Sequence, residues 1–202
     1  MDSPAANVTP ALLQAVRQGD QRAARQLVEM LYLLVITIVR RHLPRSEAEE
    51  DLCQEVFLKM FTRLKQYSGE KAFDHWVSKI ALHTCYDKLR KLSRRKVMTY
   101  AELDADESTF LFPAESLTTP QSLEGSPGLA CDLLERLLAH LNPRETMIIR
   151  LLDLEEKSVN EVCDLIDWKV SRVRVTAMRA RRKLGVLLQE LEKQSQPPSI
   201  AS

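Results

Sequence analysis

Apolar side chains recur at three- and four-residue spacing along most of this chain, and each run is closed by a polar cap, a proline or a glycine. Thr9-Pro10 reads as an N-cap followed by proline at the first helical position, and Gly19 suits a stop, so a short helix is expected over 10–18. Asp20 can cap a second helix over 21–42, which Pro44 ends. Its run Met30–Val39 is broken by Thr37 and is too short to cross a bilayer, so it reads as a buried core helix. Ser46-Glu47-Ala48-Glu49 has the form of a capping box, in which the Ser and Glu side chains satisfy free N–H groups. Behind it, Leu52, Val56, Phe57, Met60, Phe61 and Leu64 define an amphipathic helix over 47–65. Tyr67-Ser68-Gly69 breaks the period, and Phe73, Trp76, Val77, Ile80 and Leu89 resume it over 71–92.

From Val97 to Gly128 no period persists; three prolines, two glycines and many Ser and Thr residues make this an extended linker. Leu133, Leu134, Leu137, Leu138 and Leu141 then form one helix. Asn142-Pro143-Arg144-Glu145 places a cap, an N1 proline and an N3 acid in order, ahead of Met147, Ile148, Leu151 and Leu152. Ser158-Val159-Asn160-Glu161 is a further capping box that opens a short helix through Leu165. Ile166-Asp167-Trp168 interrupts it, and a long helix is expected from about Lys169 to Glu192. The fold class is therefore all-α. Two small helical domains, 1–97 and 130–194, are joined by a flexible acidic linker over 98–129 and followed by a disordered tail over 195–202.

Charge changes this picture. The chain is nearly neutral at +1, yet its charge is segregated. Lys79–Lys96 ends in a dense basic run, and Lys169–Lys183 holds seven cations and no acid. Between them, Tyr100–Glu135 has acids but no base. Two cationic helices tied by an anionic tether suggest a protein that holds nucleic acid at two places. Cys53, Cys85, Cys131 and Cys163 are widely spaced and form no C-x-x-C pair, so reduced core thiols in a cytoplasmic chain are expected. No charged-then-apolar signal segment opens the chain, and no membrane insertion is expected. The four histidines are scattered and there is no Gly-rich phosphate loop, so neither an enzyme nor a cofactor or metal site is indicated.

Residues 158–183 have the layout of a helix-turn-helix. Asp167 falls where the turn needs a left-handed residue, which Asp tolerates. Val162, Leu165, Val170, Val173, Ala177 and Leu184 can face inward, leaving Lys169, Ser171, Arg172, Arg174, Arg179 and Arg182 to project outward. Arginines early in the second helix can reach guanine edges in a major groove, and later cations phosphates. Trp168 is either an anchor of the turn or a DNA contact. In the first basic segment, Trp76, Lys79, His83, Lys88, Arg90, Lys91, Arg94, Arg95 and Lys96 mix aromatic and cationic groups suited to single strands. Phe73, Trp76 and Ile80 also share one face, so the aromatics can equally be core.

Several of these stretches resemble a known family. Glu49-Glu50-Asp51-Leu52-Cys53-Gln54-Glu55-Val56-Phe57-Leu58-Lys59 resembles region 2 of bacterial sigma factors, and Phe73-x-x-Trp76-x-x-Lys79-Ile80-Ala81 through Asp87-x-Leu89-Arg90 looks like its continuation. Leu141-Asn142-Pro143-Arg144-Glu145 and Val173 through Leu184 resemble region 4. With only these two regions and a linker, the chain is similar to the extracytoplasmic-function class. His83 stands where the family usually has Asn, Cys163 where it has Ala, and Lys169 where it often has a capping Ser or Thr.

The resemblance implies a factor that directs core RNA polymerase to promoters. Asp51, Gln54, Glu55 and Phe57 would dock on the clamp of the β′ subunit, with the β flap a second contact. The 73–96 segment would melt and hold the −10 element, the helix from Lys169 would read the −35 element as duplex, and the acidic linker would thread toward the active-site cleft. Members of the class are commonly held inactive by an anti-sigma factor, which is a further implied partner. The rival reading is a stand-alone helix-turn-helix regulator that acts without polymerase. It leaves the acidic 49–59 stretch unexplained, and a pure protein-binding adaptor leaves the cations of 169–183 unexplained.

Overall fold

A computed structural model describes residues 8–43, 49–101 and 127–195 of the chain. Helices α1 (Pro10–Arg17), α2 (Gln21–His42), α3 (Glu49–Arg63), α4 (Phe73–Ala101), α5 (Pro127–Ala139), α6 (Pro143–Ile149), α7 (Val159–Ile166) and α8 (Val170–Ser195) follow in order. The described residues contain no strand. They divide into two compact units, one drawn from residues 1–91 with 160–168 and the other from 92–159 with 169–202. The capping box expected at Ser46 and most of the acidic linker lie outside the described residues, as does all but the start of the expected tail.

The first unit is built by three apolar stripes. Helix α2 contributes Leu27, Leu31, Val35, Ile36 and Val39, α3 contributes Leu52, Cys53, Val56, Phe57 and Met60, and α4 contributes Phe73, Val77, Ile80, Ala81 and Cys85. Leu27, Leu31, Val35, Val39, Val56 and Val77 are wholly buried, each such side chain contributing about 1.5–3 kcal/mol of hydrophobic stabilisation. The run Met30–Val39 is not buried all round. Leu33 is 71% exposed, because the helical period turns it away from the core, and Tyr32 is 43% exposed.

The caps explain where these helices begin. Thr9 Oγ1 accepts from the Leu12 N–H at 3.3 Å, and Asp20 Oδ1 accepts from Arg22 and Ala23 at 2.8 and 3.2 Å. Arg17 closes the end of α1 against the turn after α3 by donating to the carbonyls of Leu64 and Tyr67, both at 3.2 Å. Gly69 supplies the left-handed residue, φ +84°, that lets the chain turn into α4. Helix α4 runs to Ala101 rather than stopping near 92. Residues 93–101 hold neither Pro nor Gly, so nothing local ends the helix there.

In the second unit, α6 packs on α8. Leu138, Leu141, Ile149 and Ala180 form one buried cluster, flanked by Leu134 and Leu184, and Leu137 packs with Leu191. The Asn142 box forms as its sequence requires. Asn142 Oδ1 accepts from the Arg144 and Glu145 N–H groups at 3.0 Å, and Glu145 Oε2 accepts from the Asn142 N–H at 3.0 Å. Glu145 is buried, and its second duty is to receive Lys183 of α8 at 2.8 Å. One carboxylate thus closes the start of α6 and ties it to α8. Glu145→Ala is expected to lower stability by about 2 kcal/mol, from the lost cap and the lost charge-assisted bond. Denaturant titration of the native protein and the variant checks this.

After α6 the chain takes one π-helical turn, Arg150–Leu154. Its first residue, Arg150, is buried, and its Nη2 donates to both oxygens of Glu135 at 2.7 and 2.9 Å. All four cysteines are free. Cys53 and Cys85 are buried and Cys163 half-buried, but Cys131 is exposed, so the expectation of a core thiol fails there. Its neighbours in sequence are apolar, but Cys131 lies near the start of α5, ahead of Leu134, Leu137 and Leu138, where the packed contacts of that helix are made.

Candidate nucleic-acid interface

Helix α3 presents an acidic and amide face. Asp51 and Gln54 are exposed, and Glu55 is half-buried. Glu55 receives Lys59 at 2.7 Å across one turn, and that hydrogen bond is the main reason its carboxyl is held below the usual range. Lys59 also donates to Thr84 of α4 at 3.2 Å, so this face is braced against its neighbour. Phe57 sits where the apolar stripe of the sequence put it. It is 9% exposed and packs in the core, because it belongs to the Cys53–Phe57–Leu64 stripe. The exposed apolar side chain of α3 is Leu58, at 66%. It lies one turn from Gln54 and two from Asp51, on the same exposed face of the helix.

On α4 the aromatics serve the fold. Phe73 is buried, Trp76 is half-buried, and both rings meet Tyr67 at centroid distances of 4.9 and 5.5 Å. Trp76 and Phe73 lie 5.4 Å apart. Trp76 is therefore a core-edge residue, packed on one side by these rings and partly open to solvent. Lys79, half-buried, donates to Asp167 at 2.6 Å within the first unit. His83 stands on the solvent side of α4, and partial desolvation of its ring lowers its imidazole pKa from the ordinary value. Arg90, Lys91 and Arg94 are exposed and Lys88 is half-buried. His83, Asp87, Arg90, Lys91 and Arg94 recur at helical spacing and form one polar stripe. Asp87 is only loosely paired with Arg90, at 3.8 Å. Arg95 and Lys96 continue the helix, and only their backbone is described.

The turn before α8 forms as Asp167 suggests, with φ +56°. Trp168 is half-buried. The carbonyl of Lys169 accepts from the N–H groups of Arg172 and Val173 at 3.0 and 3.1 Å, so Lys169 occupies the N-cap position and Val170 is the first residue of the helix. Around α8, Val173, Ala177 and Ala180 are buried. At about 100° per residue, Ser171, Val175, Met178 and Arg182 point most directly away from that stripe. Arg172, Thr176 and Arg179 form one flank, and Arg174 and Arg181 the other.

Among the cations of 169–183, Arg181 pairs with Asp153 at 2.7 Å and Lys183 with Glu145, so both serve the unit itself. Lys169, Ser171, Arg172, Arg174, Arg179 and Arg182 are all exposed. The flank of Arg172 and Arg179 borders a surface groove whose other wall is the start of α6, with Asn142 and Arg144. Arg144 belongs to a different helix, and no pattern within α8 could have announced it.

Among the described residues no group of three His, Cys, Asp or Glu side chains is placed to hold a metal ion. Nor is any described helix long and apolar enough to cross a membrane.

Residues 27–95 match the family described as sigma-70 region 2, and residues 131–184 match sigma-70 region 4. The chain is 28% identical over 181 residues to the ECF RNA polymerase sigma-E factor of Escherichia coli (strain K12), covering 89% of this chain and 94% of the relative. It is also 28% identical to the factor of that name from Haemophilus influenzae, over 90% of this chain and 95% of the other. Two solved structures share the fold. One is CnrH in complex with the cytosolic domain of CnrY (TM-score 0.52, 21% identity, 89% of this chain and 96% of that one). The other is the sigma factor RpoE of Bartonella quintana in complex with the anti-sigma factor NepR (TM-score 0.52, 18% identity, 85% and 98%). With both family regions present in order, on helices whose exposed faces carry the charge, the chain belongs to the sigma-70 family, in its extracytoplasmic-function class, and directs promoter-specific transcription initiation.

Proposed function

We propose that this chain binds core RNA polymerase through the exposed face of α3, holds the melted −10 strand on the basic stripe of α4, and reads the −35 element as duplex with α8. The observation that carries this is the division of exposed chemistry. Helix α3 shows Asp51, Gln54 and Leu58, a face suited to a protein partner, whereas α4 and α8 show cations suited to phosphates. Residues 1–97 and 130–194 act as the two binding domains, and the acidic tether of 98–129 enters the polymerase cleft, where its charge imitates nucleic acid. On α3, Leu58 takes the apolar role that the resemblance gave to Phe57, beside Asp51, Gln54 and Glu55. On α4, His83, Lys88, Arg90, Lys91 and Arg94 meet the strand, continued by Arg95 and Lys96, while Trp76 and Lys79 support the surface beneath. On α8, Lys169, Ser171, Arg172, Arg174, Arg179 and Arg182 meet the duplex. The β flap of the polymerase is a second contact, and an anti-sigma factor that covers these faces is a further partner. The chain works in the cytoplasm and catalyses no reaction of its own.

Reconstitution tests this. Core polymerase with the chain added is expected to start transcripts at discrete promoters that core alone ignores, mapped by transcript 5′ ends. Tight binding to an operator duplex with no affinity for core polymerase would instead make the chain a stand-alone regulator.

A further inference from the structure

The outermost line of α8 is not uniformly polar. Ser171 and Arg182 stand on it, but so do Val175 and Met178, 43% and 63% exposed. A single exposed apolar side chain needs no explanation. Val175 differs because of where it sits. Together with Arg144, Ser171, Arg172, Thr176 and Arg179 it lines the concave groove between α6 and α8. It is an apolar side chain set among three guanidinium groups, in a place where a solvated helix would carry another polar residue.

The geometry narrows what could cover it. Arg172 and Arg179 lie seven residues apart, about 10 Å along the helix axis. This is about three base-pair steps at 3.4 Å per step. Val175 lies between them and nearer the apex of the helix. With the two arginines on phosphates at the groove wall, the Val175 side chain faces base edges. The major groove offers one apolar group there, the C5-methyl of thymine. Valine is also stiff about χ1, so it presents its methyls at little entropic cost. Met178, one turn on, is long and flexible and does not border the groove.

We propose that Val175 is a specificity-determining residue that packs against the C5-methyl of one thymine in the −35 duplex. This rests on α8 being the −35 reader, and the experiment separates the two ideas. Holoenzyme reconstituted from core polymerase and the full chain is used to select −35 sequences from a randomised duplex library. Each thymine of the selected element is then replaced singly by deoxyuridine, which removes only the methyl. Equilibrium competition is measured for the native protein, Val175→Ser and Val175→Thr.

For the native protein, uracil at one position is expected to weaken binding about fourfold, the value of one buried methyl-sized group. Val175→Ser should abolish that difference at that position only, and Val175→Thr, which keeps one methyl, should retain part of it. The inference is overturned if Val175→Ser keeps the native uracil penalty. It is equally overturned if the variant loses affinity for both duplexes alike, or if no thymine is selected. If the native holoenzyme shows no preference at all among −35 duplexes, the assignment of α8 fails and not merely the role of Val175. Thermal melting of each variant checks that the exposed substitution leaves the fold unchanged.

Discussion

Replacing Phe57 by alanine is expected to cost the protein about 3–5 kcal/mol, whereas replacing Leu58 should leave its stability nearly unchanged. These neighbours differ by one step of the helical period. Phe57 is packed among the α2, α3 and α4 stripes, so its removal leaves a cavity that the surrounding side chains refill only in part. Leu58 is 66% exposed, and truncating it removes little buried surface. Their effects on polymerase should run the other way. Leu58→Arg is expected to weaken binding to core polymerase about tenfold, as loss of an interface anchor does. The pair Asp51→Ala and Gln54→Ala should act in the same direction, without shifting the melting temperature. Phe57→Ala should weaken binding only in proportion to the fraction unfolded, so a temperature at which it is folded should restore it. Denaturant titration and a polymerase-binding assay at two temperatures separate these outcomes. If Leu58→Arg binds core polymerase normally, the exposed face of α3 is not the docking surface.

The second large effect is expected on α8. Arg172 and Arg174 flank the buried Val173 on opposite sides of the helix, so they reach opposite walls of a groove that holds it. Each should contribute independently, and the double change to alanine is expected to weaken −35 duplex binding on the order of a hundredfold. Each single change should also flatten the salt dependence of binding, by about one unit of slope if its contact is a phosphate. Polymerase binding should be unaffected, because neither residue lies on α3. A competition series across salt concentration reads both effects. A double variant that still discriminates −35 sequences with native affinity would remove α8 from the reading.

Much of this is legible in the amino-acid order alone. Capping residues, prolines and glycines announce helix ends locally, and the apolar period announces helix faces. For this reason the starts of α1, α2 and α6 and the left-handed Asp167 came out as the residues imply. The charge segregation and the order of the two family motifs are likewise properties of the string. Helix ends without a breaker were less legible: α4 continues to Ala101 because no residue stops it.

Side-chain assignments depended on what packs across from each residue. Phe57 lies in the apolar stripe that the sequence marks and Leu58 falls outside it, and the packing of α2 and α4 on that stripe leaves Leu58 as the exposed apolar side chain of α3. The cations of α8 look alike in sequence, yet Arg181 and Lys183 are engaged by Asp153 and Glu145 from elsewhere in the chain. Arg144 joins the α8 groove because α6 and α8 pack together. The amino-acid order by itself determined the helices, their caps, the two charged segments and the family. Which faces are spent on the core, and which remain for a partner, was decided only in three dimensions, because burial is set by contacts between residues far apart in the chain.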